Sequence, residues 1–187
     1  MSKHQLAKER YREYRTHARA LIEEELFHAL RLRVDVVHID EDVLRKAARQ
    51  WYENPARLVG WDWESQILAP LVTYGPRTFY AAYIVKGDLC ALAAARLSPG
   101  KKWLSLTHVE GAPNDNPIKG KVLPIVLRSL AIFRAVAVTN TDEIPGIRVL
   151  RPTADALPCY YAHGYPQATV SKKDSMIIIE PPTRRMS

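Results

Sequence analysis

The chain has 187 residues, 47% of them hydrophobic and 25% charged, with a formal net charge of +7. That length and balance fit one domain with an ordinary core, and they exclude disorder as the dominant state. Apolar runs such as Met176–Ile179 are strand-sized, far short of the roughly 20 residues a membrane-spanning helix needs. Cys90 and Cys159 are the only cysteines; they form neither a disulfide framework nor a CxxC site, and no HExxH or His/Cys cluster suggests a metal. The charged start MSKHQLAKERYREYR lacks the apolar core of a signal peptide, so a cytoplasmic location is expected.

In chain order, Leu6, Tyr11, Tyr14, Ala18, Leu21, Ile22 and Leu26 recur mostly at three- and four-residue steps, which predicts a helix over 5–30. Its first half is basic and its end carries Glu23–Glu25, an order opposed to the helix dipole. The helix is therefore expected to need a partner surface, either the body of the domain or a second copy. Residues 1–30 read as a helical extension, 31–180 as the main domain and 181–187 as a flexible tail. Leu32–His38 reads as a strand, and Asp40 opens a helix running to about Glu53, with acids in its first turn. Gly60-Trp-Asp-Trp-Glu begins a loop and a short second helix closed by Pro70. Arg77–Val85 and Leu89–Leu97 are strands joined by a hairpin turn at Lys86-Gly87-Asp88.

After the turn at 98–101, Trp103–Glu110 forms the next strand. The polar loop GAPNDNP then leads to a helix from about Lys119 to Val136. Ile147–Leu150 reads as a strand, Ala154–His163 as a helix ended by Gly164, and Tyr165–Val170 and Ser175–Glu180 as final strands. A meander of antiparallel strands followed by a strand–helix–strand crossover implies a mixed, mostly antiparallel sheet with helices on both faces, an α/β (α+β) fold.

Charge is uneven along the chain. Residues 35–90 sum to −2 and residues 91–134 to +5, a contrast that suits a cleft for anions, phosphates above all. The strand 103–110, its glycine-containing loop and the helix start at Lys119, Gly120 and Lys121 form a candidate phosphate cradle: a helix N-terminus offers N–H donors, and glycine permits close approach. In the segment Thr153-Ala-Asp-Ala156-Leu-Pro-Cys159-Tyr160-Tyr-Ala-His-Gly164-Tyr165, paired tyrosines sit near a helix end; by themselves such residues serve as core anchors.

Taken together, cradle and tyrosine segment resemble the GCN5-related N-acetyltransferase (GNAT) family. Ala156, Tyr160, Gly164 and Tyr165 match the family's N-x-x-A-x-x-φ-Y-x-x-x-G-φ pattern, with Thr153 in place of the asparagine. In the loop Pro117-Ile-Lys-Gly120-Lys-Val122, Gly120 aligns with a family glycine, while Pro117 and Val122 replace the usual Arg/Gln and the second small residue. The resemblance implies an acyl-CoA-dependent N-acyltransferase, with acetyl-CoA or another acyl-CoA as cosubstrate. It would lie between the strand ending near Glu110 and the strand near Ile147. The backbone of Thr107, His108 and Val109 would bond the pantetheine, residues Ile118, Lys119, Gly120, Lys121 and Val122 would hold the pyrophosphate, and Tyr160 would be the general acid.

His108 and Glu110 share one face of their strand, and either would serve as general base for an amine acceptor. Glu110 is favoured because strand ends open onto clefts, the other reading of His108 being a hydrogen-bonded strand histidine. Asp62 and Glu64, within Trp61-Asp62-Trp63-Glu64, are candidates for recognising a cationic substrate, against a reading of that segment as two aromatic anchors. Two alternatives stand beside the enzyme: a non-catalytic GNAT-fold binding module, suggested by Pro117 and Val122, and a protein acting on or binding nucleic acid, suggested by the basic helix with Arg10, Arg12, Arg15 and Arg19. The amphipathic N-terminal helix makes a homodimer one candidate assembly; no membrane partner is expected.

Overall fold

The structure is a computed structural model of the chain, and it describes residues 2–73, 75–113, 115–138, 143–152, 158, 169–171, 176–180 and 183–184. In chain order the first elements are α1 (Lys3–Leu30), β1 (Asp35–Val37), α2 (Glu41–Ala47) and α3 (Ala69–Thr73). A π-helical turn, Ala48–Tyr52, continues α2, and another, Trp63–Leu68, leads into α3. Then come β2 (Thr78–Val85), β3 (Asp88–Leu97), β4 (Trp103–Gly111), α4 (Val122–Ala137), β5 (Glu143–Ile144), β6 (Gly146–Leu150), β7 (Thr169–Ser171), β8 (Met176–Glu180) and β9 (Thr183–Arg184). The seven-stranded sheet has the order β1-β2-β3-β4-β6-β8-β7. Its one parallel step, β4 to β6, is made by the α4 crossover; the other neighbours are antiparallel.

Local chemistry explains most element boundaries. Ser2 and Gln5 form a reciprocal capping box at the start of α1, and Asp40 caps α2 by accepting from the Val43 N–H at 3.0 Å. The β2–β3 hairpin turns through Lys86 (φ 52°) and Gly87 (φ 89°), the paired left-handed residues that match the twist of the strands. Gly120, at φ 75°, cannot continue a right-handed helix, so Lys119–Lys121 form turns and α4 starts at Val122 rather than at Lys119.

Two cores flank the sheet. On one face Tyr11, Ala18, Ile22 and Leu26 of α1 join Ile125, Val126, Leu130 and Phe133 of α4, with Phe79, Ala81, Ala93, Leu104 and Leu106 from the strands. On the other, Val43, Ala47, Trp51, Trp63, Ile67 and Leu71 cover Ala82, Leu92 and Ala94.

Helix α1 is thus a layer of the domain, not an appended extension: its apolar stripe found the body of the protein. Its acidic end is cross-linked rather than exposed to the dipole, with Glu23 accepting from the Val36 N–H at 2.7 Å and Glu25 paired with Arg128 at 2.7 Å. Arg15 donates to the carbonyls of Pro76 (2.9 Å) and Thr78 (3.2 Å), and Arg19 to that of Arg15 (3.1 Å). Two of the four arginines proposed to meet nucleic acid are therefore engaged within the fold.

The tail also differs from expectation. Thr183–Arg184 pairs with Glu143–Ile144 as a two-stranded ribbon, because a main-chain ladder can form there without an apolar run. The helix expected over 154–163 lies outside the described residues except for Pro158. No helix among the described residues is long and apolar enough to cross a membrane.

Candidate active site

The site begins with an irregularity in β4. The β3–β4 ladder pairs Ala94 with His108 and Ala95 with Leu106, which leaves Thr107 as the extra residue of a β-bulge. Its hydroxyl donates to the Ala94 carbonyl at 2.9 Å. Before the bulge Leu104 and Leu106 point into the α1/α4 core; after it Val109 packs against that same core. His108 and Glu110 consequently face the opposite layer, where both meet Trp63.

The bulge coincides with the end of the β4–β6 ladder. The parallel β4–β6 ladder runs from Trp103↔Gly146 to Leu106↔Val149 and stops, while β4 continues to Gly111. Over residues 107–111 no described strand pairs with β4 on that side.

On the α4 face of this stretch of β4 lies the predicted phosphate loop. Asn116 organises it: its Nδ2 donates to the Cys90 carbonyl (2.8 Å), its Oδ1 accepts from the Ile118 N–H (3.0 Å), and its main-chain carbonyl accepts from the Lys119 N–H (2.8 Å). Ile118 is fully buried as the loop's anchor, whereas Lys119, Gly120 and Lys121 are exposed at the mouth. No side-chain cap meets the first N–H groups of α4, so the positive end of a 16-residue helix faces outward. Val122 packs against the core, and a Cβ on Gly111 would lie 3.3 Å from its Cγ2. A side chain at 111 would therefore press on Val122 at the start of α4, which would have to give by a few tenths of an ångström.

On the other face is a cavity of about 440 Å³, lined among the described residues by Trp61, Gln66, Ile67, Pro70, Leu71, Arg96, Thr107, His108, Leu150 and Arg151. The His108 ring meets the Trp61 ring edge-on, with centroids 5.1 Å apart and planes at 88°. His108 Nδ1 is buried with no hydrogen-bond partner among the described residues. Burial, and then the Arg151 charge, push its pKa below the ordinary histidine value of 6.5, so the imidazole is neutral at pH 7.

Glu110, the favoured base from the sequence, occupies a different position. It is 5% exposed; its carboxylate accepts from Arg57 Nε (2.6 Å), Arg57 Nη2 (3.1 Å) and the Trp63 indole N–H (2.6 Å). Arg57 in turn lies over the Tyr52 ring at 4.4 Å and donates to the Trp61 carbonyl at 2.5 Å. The strand end is roofed by the 52–63 segment rather than open to a cleft, and a carboxylate so saturated is a strut. Arg57 carried no local signal, because its partner is 53 residues away.

Asp62 and Glu64 are likewise absent from the cavity's described lining. Asp62 caps the Trp63–Leu68 turn by accepting from the Glu64 and Ser65 N–H groups at 2.9 and 3.2 Å, bonds that hold its pKa below the usual carboxylate value. Asp62→Ala is expected to cost ~1 kcal/mol, the worth of an N-cap, in urea denaturation. The two tryptophans divide the readings made of them: Trp63 is fully buried as an anchor, and Trp61 forms a wall of the cavity. Tyr160 and its segment lie outside the described residues.

Several solved structures share this architecture. An acetyltransferase from Thermus thermophilus aligns with a TM-score of 0.53 at 11% identity, over 81% of this chain and 97% of that one. The PaiA N-acetyltransferase of Thermoplasma acidophilum, in complex with coenzyme A, aligns with a TM-score of 0.51 at 14% identity, over 82% and 100%. A GNAT family acetyltransferase from Brucella melitensis, in complex with acetyl-CoA, aligns at 0.50 and 14% identity, over 79% and 88%. No family model matches the sequence, and no curated protein matches it either. From the sheet order, the single parallel step and these structural likenesses, the chain has the fold of the GCN5-related N-acetyltransferases.

Proposed function

We propose that the protein is an acyl-CoA-dependent N-acyltransferase that moves an acetyl or other acyl group to an amine by direct attack. The observation that carries this reading is the end of the β4–β6 ladder at Leu106 and Val149 while β4 runs on to Gly111, with the α4 N-terminus on one face and the His108 cavity on the other. The main chain of Thr107, His108 and Val109 suits an extended pantetheine arm. Ile118–Val122 would hold the pyrophosphate through main-chain N–H groups and the Lys119 and Lys121 charges. The positive φ of Gly120 and the inward packing of Val122 support room for that contact.

Acyl-CoA would supply an activated thioester. His108, neutral because it is buried, would take the proton that the attacking amine loses. A β4 main-chain N–H would meet the negative charge developing on the thioester oxygen, and Tyr160, by its match to the family segment, would protonate the departing thiolate. Direct attack fits the lining: among the described residues only Thr107 brings a hydroxyl, and it is committed to Ala94. The Cys90 thiol is buried, with its pKa raised by that burial.

Calorimetric titration with acetyl-CoA at low and moderate salt tests the reading. Micromolar binding is expected, weakened roughly three- to thirty-fold in Lys119→Ala/Lys121→Ala, the range for two exposed charge contacts. No binding of acetyl-CoA, CoA or longer acyl-CoAs would overturn it in favour of a non-catalytic module.

A further inference from the structure

Helix α1 carries a second pattern on the face it turns away from the domain. Its inner side, with Tyr11, Ala18, Ile22 and Leu26, is buried. On the outer side Leu6, Arg10, Glu13, His17, Ala20, Glu24 and Phe27 follow in alternating steps of four and three, a spacing that keeps them in one line along the helix. All seven are exposed. Among the described residues, three of the four large hydrophobic side chains left exposed belong to this helix: Leu6 at 52%, Phe27 at 50%, and Leu21 beside the line. Arg10, Glu13 and Glu24 enter no ion pair among the described residues, whereas neighbouring Glu25 is held by Arg128. A groove of about 690 Å³ flanks the line, with Tyr14, Leu21, Ile132 and Val136 in its wall.

The line is complementary to its own reverse. A two-fold axis at His17 would bring Leu6 beside the partner's Phe27, Arg10 opposite the partner's Glu24, and Glu13 beside the partner's Ala20. Each carboxylate then meets an arginine or a small neutral side chain, and the apolar residues at the two ends cover one another. A parallel pairing would instead oppose Arg10 to its own copy and Glu24 to its own copy. The whole helix follows the same rule. Residues 3–16 hold five Lys/Arg against two glutamates, and residues 17–30 hold one arginine against three glutamates. Antiparallel docking sets each basic half along the acidic half of the other copy and along the negative end of its dipole. It thereby offsets the order of charge that opposes the helix's own dipole.

We infer that α1 is a dimerisation helix, on which a second copy of this chain docks its own α1 antiparallel about a two-fold axis at His17. Such an interface uses the same patch twice and closes on itself, so the assembly stops at two. The apolar ends and the flanking groove supply surface to remove from water, and the Arg10–Glu24 pairs set direction and register. The inference goes beyond the acyl-transfer reading and does not depend on it.

Sedimentation of the nuclease-treated, full-length protein from roughly 1 to 100 μM tests it, a range that brackets micromolar association. A monomer–dimer equilibrium is expected, with no larger species. Arg10→Glu and Glu24→Arg should each weaken the dimer about tenfold or more, since either reversal replaces two attractions by two repulsions. An equimolar mixture of the two variants should recover association as a heterodimer, and Arg10→Glu/Glu24→Arg in one chain should recover it as a homodimer. Both side chains are exposed, so all three variants should keep the circular dichroism of the wild type.

A monomer throughout the concentration range would overturn the inference, as would assemblies larger than two. An association that nuclease treatment abolishes would overturn it in favour of nucleic acid as the occupant of this face. Wild-type association in both single variants would overturn it too. So would single variants that dissociate but recover neither in the mixture nor in the double reversal.

Discussion

Replacing His108 by alanine is expected to lower kcat/KM by roughly 10²- to 10⁴-fold, the usual contribution of a positioned general base, with acetyl-CoA affinity little changed. The pH profile is the more specific readout. Because burial and Arg151 lower the folded-state pKa below 6.5, the neutral, proton-accepting imidazole predominates at neutral pH. In the wild type kcat/KM should climb with pH along a limb centred below 6.5, and His108→Ala should abolish that limb. Retained turnover in His108→Ala, or an acid limb above 6.5, would remove His108 from the mechanism. The same shift has a stability consequence. The unfolded chain binds this proton first as pH falls through 6.5, so the His108 contribution to stability is present above that value and is lost as pH drops toward the folded pKa.

Glu110→Ala should lower the unfolding free energy by about 3–5 kcal/mol, the cost of leaving one member of a buried ion pair uncompensated. The side chains of Arg57 and Glu110 are 9% and 4% exposed, respectively, so water has little access to the stranded guanidinium. The substitution also leaves the Trp63 indole N–H, 2.6 Å from the carboxylate, without its acceptor. Replacing both Arg57 and Glu110 with methionine should restore much of the loss, since apolar replacement of a whole buried pair is often close to neutral. Urea denaturation of the two single variants and the double variant checks this. Glu110 would instead be the catalytic base if Glu110→Gln kept wild-type stability and lost turnover as fully as His108→Ala.

These two residues show where local reasoning was sufficient and where it stopped. Strand alternation placed His108 and Glu110 on one face, and it held because both follow the bulge. The face itself was decided at Thr107: had it taken the regular ladder position opposite Ala94, His108 and Glu110 would enter the α1/α4 core. A bulge needs no distinctive residue, since a threonine hydroxyl bonding a neighbouring carbonyl reads in sequence as an ordinary strand threonine.

Other features were legible because their causes are contained in a few adjacent residues. The capped start of α2, the Lys86–Gly87 turn, and the hydrophobic periods of α1 and α4 depend on near neighbours. From the order of such elements the mixed sheet, its crossover and the GNAT-like fold followed. The loop mouth at Lys119–Lys121 was also visible, as a strand, a glycine and a basic helix start in succession.

What only the tertiary structure decided was the pairing of distant polar groups, and with it the chemistry of the site. Glu110 meets Arg57 across 53 residues. Arg96 and Arg151 line one cavity because β3 and the end of β6 lie on either side of β4. Asp62 turns inward to its own helix start because two main-chain N–H groups lie within reach. Propensity and hydrophobic period follow from short-range sterics and from burial along one element, so one strand of sequence determines them. Whether a charge becomes a strut, a cap or a ligand depends on which opposite charge or open space the folded sheet sets against it.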